Sequence, residues 1–161
     1  MEVAIFVCLI KNYLGFIMKK TLISLACMAA SMTASAQVAD SLVFKGYLYN
    51  KEFDVYMRIN FYDEDVIISW QEVYGALPGF LSKSDNNYCW IVTEASVNGK
   101  TALLEMVNDS GSDDLTATLT QENDSVYTLR HRSGSVMKVP EKGKWKKLPS
   151  TLTFQRRKTK K

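Results

Sequence analysis

The chain is poor in the residues that cross-link, ligate and catalyse. Three cysteines and one histidine occur among 161 residues. Two of the cysteines, Cys8 and Cys27, fall in an apolar leader, which leaves Cys89 alone and excludes a disulfide within the remainder. A lone thiol in a strand-like run reads as a small buried hydrophobe. A structural zinc site needs four protein ligands and a catalytic one about three, more than His131 and Cys89 supply. The acidic turns "DED" at Asp63 and "NDSGSDD" at Asn108–Asp114 lack the spacing of a calcium loop. No Gly-x-Ser-x-Gly, phosphate-binding loop or dinucleotide fingerprint is present. Long amphipathic helical stretches are also missing. Glu94 and Glu105 could face each other across a hairpin, but nothing around them suggests a cleft. The sequence therefore predicts no catalytic residue, no metal site, no cofactor and no enzyme.

What is present begins with an export signal inside the chain. "MKKTLISLACMAASMTASAQ" starts at Met18. Lys19 and Lys20 precede an apolar run, and Ala34-Ser35-Ala36 places small residues at −3 and −1 of a cleavage site. Residues 18–36 read as a signal peptide and residues 1–17 as an upstream extension, either a gene-model artefact or a longer leader. One membrane helix through both apolar pieces would bury Lys19 and Lys20 mid-bilayer, where each costs about 2.5–3.5 kcal/mol. A lipoprotein signal would want leucine three residues before Cys27, where Ser24 stands, so lipidation of Cys27 is the secondary reading. The expectation is an exported chain, periplasmic or secreted, with no integral span after processing and no nucleic-acid partner.

Residues 37–155 read as one β domain and residues 156–161 as a basic disordered tail. In "EFDVYMRINFY", Phe53, Val55, Met57, Ile59 and Phe61 take alternate positions, which a strand gathers on one face. Burying each contributes about 1.5–3 kcal/mol before chain entropy, and a register slip of one residue would expose all five. Further strands are predicted at Val43–Tyr49, Val66–Val73, Tyr88–Ala95, Thr101–Val107, Leu115–Thr120, Val126–His131, Val136–Val139 and Thr151–Gln155. Asn98-Gly99 between two apolar runs is the strongest hairpin signal, since turn residues there must accept positive φ. The sum is an all-β chain, an antiparallel meander closing into a small barrel or flattened sandwich of about eight strands. "YGALPGFLSKSDNN" (Tyr74–Asn87) reads as a long connection, either a lid over the barrel mouth, or a plug for one end of the core or an irregular extra strand.

Two groups of residues are candidates for binding. Tyr47, Tyr49, Tyr56 and Tyr62 fall on the polar side of the first strands with Arg58, and Phe80 lies in the long connection. A tyrosine-rich face can stack on sugars or hold a protein partner. Charge is unevenly spread: residues 37–141 carry 8 basic and 16 acidic side chains, residues 142–161 carry 9 basic and none acidic. Within that basic end, Lys144, Trp145, Lys146 and Lys147 could contact an anionic partner. The alternative for both groups is structural: tyrosines covering a sheet and solvated lysines.

The strand-and-turn rhythm from "FKGYLYNKEFDVYMRINFYDEDV" to "GKWKKLPSTLTFQR", behind a leader ending Ala-Ser-Ala-Gln, resembles small exported lipocalin-like meander domains of Bacteroidetes type, many of unknown function. The lipocalin Gly-x-Trp near the first strand is absent and "GKW" stands at Gly143–Trp145, so no site residue carries over. The expected function is a non-enzymatic module binding a small amphipathic molecule, a glycan or an envelope protein. The alternative is an inhibitor or immunity-type protein acting on an extracellular or periplasmic enzyme. Oligomeric state does not follow from the sequence.

Overall fold

A computed structural model describes residues 43–157, apart from position 72. The segments expected to be an extension (1–17) and a signal peptide (18–36, with Cys27), residues 37–42 and the last four residues lie outside the described part. Twelve strands occur among the described residues, and no helix. In chain order they are β1 (Lys45–Asn50), β2 (Val55–Asn60), β3 (Val66–Ile67), β4 (Ala76–Leu77), β5 (Gly79–Lys83) and β6 (Cys89–Asn98). There follow β7 (Thr101–Asn108), β8 (Asp114–Gln121), β9 (Val126–Gly134), β10 (Lys138–Glu141), β11 (Lys144–Lys147) and β12 (Thr151–Arg157).

Eight of these close an antiparallel barrel in the order β1-β12-β9-β8-β7-β6-β5-β2, with β2 returning to β1. It is an up-and-down meander with two excursions, a β3–β4 hairpin between β2 and β5 and a β10–β11 hairpin between β9 and β12. The barrel leaves no open edge among its eight strands, which removes the pairing hazard of a flat sheet.

Alternation decides the inside. Val55, Met57 and Ile59 of β2 point inward, as do Ala102, Leu104 and Met106 of β7 and Leu115, Ala117 and Leu119 of β8. Trp90, Leu48, Leu81, Tyr127 and Phe154 complete one continuous core. Eight strands give an interior just wide enough for side chains, and here side chains occupy it. At one end Phe44 stacks on Phe61 at 5.6 Å and meets Tyr127 edge-on at 6.2 Å. Tyr127 donates to the Val43 carbonyl at 2.6 Å and accepts from Gln121 Nε2 at 3.2 Å. Arg156 donates to both Tyr127 Oη and the Val43 carbonyl. Arg156 and Arg157, placed by sequence at the start of a disordered tail, belong to β12 instead. Arg156 is drawn in by these acceptors, which a count of basic residues does not register.

Of the readings of the long connection, the extra strand is the one found, and it is regular. Tyr74–Asn87 contains β5, a barrel strand in which all five residues are buried. The β3–β4 excursion lies along the outer wall, where Val66 and Ile68 join Phe80, Cys89 and Ile91 in a second cluster with Trp70, Tyr74 and Leu77 packed against it. Both faces of β5 are thus covered, and a strand buried on both sides loses the polar alternation that marks strands in a sequence. Gly79 is required there: a Cβ would lie 2.5 Å from the Arg58 carbonyl of the neighbouring strand. The strand expected over Val66–Val73 shrinks to Val66–Ile67 because the following residues turn away to form this strap. In the β6–β7 hairpin Asn98 pairs with Thr101, so the two turn residues are Gly99 and Lys100, and Gly99 supplies the positive φ of 57°.

Candidate binding cleft

The meander places the turns after β1, β5 and β7 at the end of the barrel where β10–β11 is inserted. Three strands end in a buried asparagine that organises the next turn: Asn50, Asn60 and Asn108. Asn108 Oδ1 accepts from the Ser112 amide at 2.9 Å, while its Nδ2 donates to Ser112 Oγ at 3.0 Å and Asp113 Oδ2 at 3.2 Å. Asp113 Oδ1 accepts from Ser135 Oγ at 2.9 Å. This acidic turn is therefore held by its own side chains. Among the described residues no group of three or more His, Cys, Asp or Glu is placed to hold a metal ion.

The β10–β11 hairpin sits on this end with one side inward. Met137, Val139 and Leu148 are buried in the barrel core. Trp90 Nε1, from inside the barrel, donates to the Lys138 carbonyl at 2.9 Å and fixes the hairpin's position. The two-residue period then sends Lys138, Pro140, Trp145 and Lys147 to the opposite side. Pro140 is tolerated because this two-stranded sheet has free edges.

Between that outer side and the turn after β7 lies a cleft of about 570 Å³, lined by Tyr88, Asn108, Asp109, Ser110, Ser112, Asp113, Lys138, Trp145 and Lys147. Trp145 stands edge-on to Tyr88, ring centres 4.9 Å apart, yet remains 59% exposed. Burial, reinforced by the Asp109 charge, pushes the Tyr88 hydroxyl up to about 12, so it stays protonated and able to donate at neutral pH. Burial also raises the Asp109 carboxyl. The backbone under Asp109 is fixed from outside, because Tyr74 of the strap donates to its carbonyl at 2.8 Å.

The residues singled out by sequence divide between two places. Trp145 and Lys147 line the cleft. Lys146 faces elsewhere, paired with Glu141 at 3.1 Å and 5.4 Å from the Phe53 ring centre, and Lys144 is exposed opposite Glu141. Tyr47, Tyr49, Tyr56 and Arg58 lie on the outer wall, where Tyr47 stacks on Tyr56 at 5.3 Å and Tyr49 lies under Arg157 at 3.7 Å. Tyr56 meets Phe80 at 5.9 Å, but Phe80 is itself buried beneath Trp70 at 5.5 Å. Tyr62 is apart from this row, at the other end of the barrel beside Phe44, whose amide donates to its hydroxyl at 3.4 Å.

Cys89 is buried under the strap, and burial pushes its thiol up to about 12, far from a reactive thiolate. His131 is half-buried, its Nε2 3.1 Å from the Ser135 carbonyl, beside an apolar cavity of about 70 Å³. Glu94 and Glu105 are cross-strand neighbours on an exposed surface. Tyr88, Asp109 and Lys138 were not anticipated. Lys138 comes beside Trp145 through the β10–β11 hairpin, whereas Tyr88 and Asp109 are brought there from distant parts of the chain by the barrel. No family model matches this chain, and searches of curated proteins and solved structures find no match either.

Proposed function

We propose that this chain is an exported, non-enzymatic binding module that holds a glycan in the cleft beside Trp145. One observation carries the reading: an exposed tryptophan, steadied by Tyr88, stands over a cleft rich in hydroxyl, amide and carboxylate groups. Sugars present apolar C–H faces and polar rims, and an aromatic plate with hydrogen-bonding groups around it complements both. Kinship with lipocalin-like domains, part of the same proposal, would extend to the barrel alone. Its interior is taken by side chains, so a small amphipathic ligand inside it draws no support from the core.

The test is calorimetric titration of the protein with a panel of oligosaccharides, repeated with Trp145→Ala. Loss of one aromatic stacking partner should weaken binding about tenfold or more. A bound glycan whose affinity is unchanged by Trp145→Ala would move the site away from this cleft. The second reading, an inhibitor or immunity-type protein, is favoured by the half-exposed Tyr47–Tyr56 stack with Tyr49 and Arg157 beside it. It requires that substitutions on this outer wall, and not at Trp145, abolish capture of the partner enzyme.

A further inference from the structure

Lys138 and Lys147 are direct cross-strand partners on the cleft side of the β10–β11 hairpin. Like charges placed directly opposite destabilise a strand pair. Neither lysine forms an ion pair with another of the described residues, in contrast to Lys45, Lys83 and Lys146. Of the cleft's two carboxylates, Asp113 is already engaged by Asn108 and Ser135, and it stands on the other wall. The hairpin thus carries two adjacent ammonium groups beside an exposed indole, an arrangement that its own folding does not use.

We propose that the cleft selects an acidic glycan, with the anionic group of one sugar residue held between Lys138 and Lys147 while its ring lies on Trp145. The inference rests on the glycan reading and narrows it. Two ammonium groups can share the oxygens of a carboxylate or a sulfate ester, and charge-assisted hydrogen bonds are about twice as strong as neutral ones. The anion would also relieve the repulsion between the lysines. Both groups are accessible, so binding should weaken as salt rises. The Asp109 carboxylate, on the facing wall, can accept from sugar hydroxyls, which are donors.

The experiment uses short oligogalacturonates, their fully methyl-esterified counterparts, a sulfated neutral oligosaccharide and inorganic phosphate as separate titrants. The protein should bind the acid at least about tenfold more tightly than the ester, a difference of one charge-assisted contact. Lys138→Gln and Lys147→Gln should each weaken binding of the acid several-fold more than binding of the ester, which removes most of that preference. Thermal melting should confirm the fold of both variants at an unchanged or higher midpoint, since a repulsive pair has been relieved. Carboxylated and sulfated sugars are told apart by which of the two binds more tightly, and either result supports the proposal. Equal affinity for acid and ester, or phosphate alone binding as tightly as the acidic sugar, overturns the acidic selection. In the first case, if Trp145→Ala still weakens binding, the glycan reading stands without it. No binding by any sugar to the folded protein overturns both.

Discussion

The two excursions from the barrel are built alike and used oppositely. Each is a two-stranded hairpin inserted between consecutive barrel strands. The β3–β4 strap turns its large side chains onto the barrel wall, with Ile68 buried and Trp70 edge-on to the buried Phe80. The β10–β11 platform turns Val139 into the core but holds Trp145 and two lysines away from it. The difference lies in what each hairpin's second face meets. Aromatic residues on the strap have a wall to cover, so they contribute to stability. Trp145 meets Tyr88 edge-on and lies across from Pro140, and most of its surface is left for something else. Residue type does not separate the two cases; placement does.

Phe80→Ala should separate the two regions most strongly. It removes a buried ring from beneath the strap and should cost about 3–5 kcal/mol in urea unfolding, with glycan affinity intact in the folded fraction. Comparable losses of stability from Trp145→Ala would erase the distinction between strap and platform. Trp90→Phe probes the joint between barrel and platform. Loss of the indole N–H leaves the Lys138 carbonyl without its donor and should cost about 1–3 kcal/mol, with a weaker cleft as a second effect. An unchanged affinity and unchanged stability would mean that the platform is held without this bond.

The smallest effect is expected outside both excursions, at the turn after β1. Tyr49 Oη donates to Asp54 at 2.8 Å, and this bond, assisted by Ser84 and Lys83, holds the Asp54 carboxyl below its ordinary value. A depressed carboxyl contributes stability that is present above the unfolded value near 3.8 and lost as pH falls through the lower folded one. Tyr49→Phe should therefore destabilise only slightly at neutral pH, since solvent screens the exposed pair, and the gap from the unsubstituted protein should close as pH falls below about 4. A gap that persists in acid would assign the effect to packing of the Tyr49 ring.

The barrel was legible in the sequence wherever one face of a strand is wet. β2 shows this best, with Val55, Met57 and Ile59 inward and Tyr56 and Arg58 outward. At β5 a strand was only one of several readings, because the strap dries the second face and Gly79 looks like a loop residue although it permits a close strand approach. The site was half legible. Trp145 and Lys147 announced themselves by the basic run they belong to, whereas Lys146 in the same run faces Glu141 and Phe53. Only strand register distinguishes them. Tyr88 carries no local signal, because its meaning comes from Trp145, far along the chain, and Lys138 gains its meaning only from the register of the β10–β11 hairpin.

The most direct measurement of the central claim is an NMR titration of the folded protein with an oligosaccharide that it binds, following indole and backbone N–H signals together. The account predicts the largest shifts at the Trp145 indole and at the Ser110 and Ser112 amides, with the buried wall at Phe80 and Ile91 unmoved. Shifts confined to Tyr47, Tyr56 and Arg58 on the outer wall, with Trp145 silent, would contradict it.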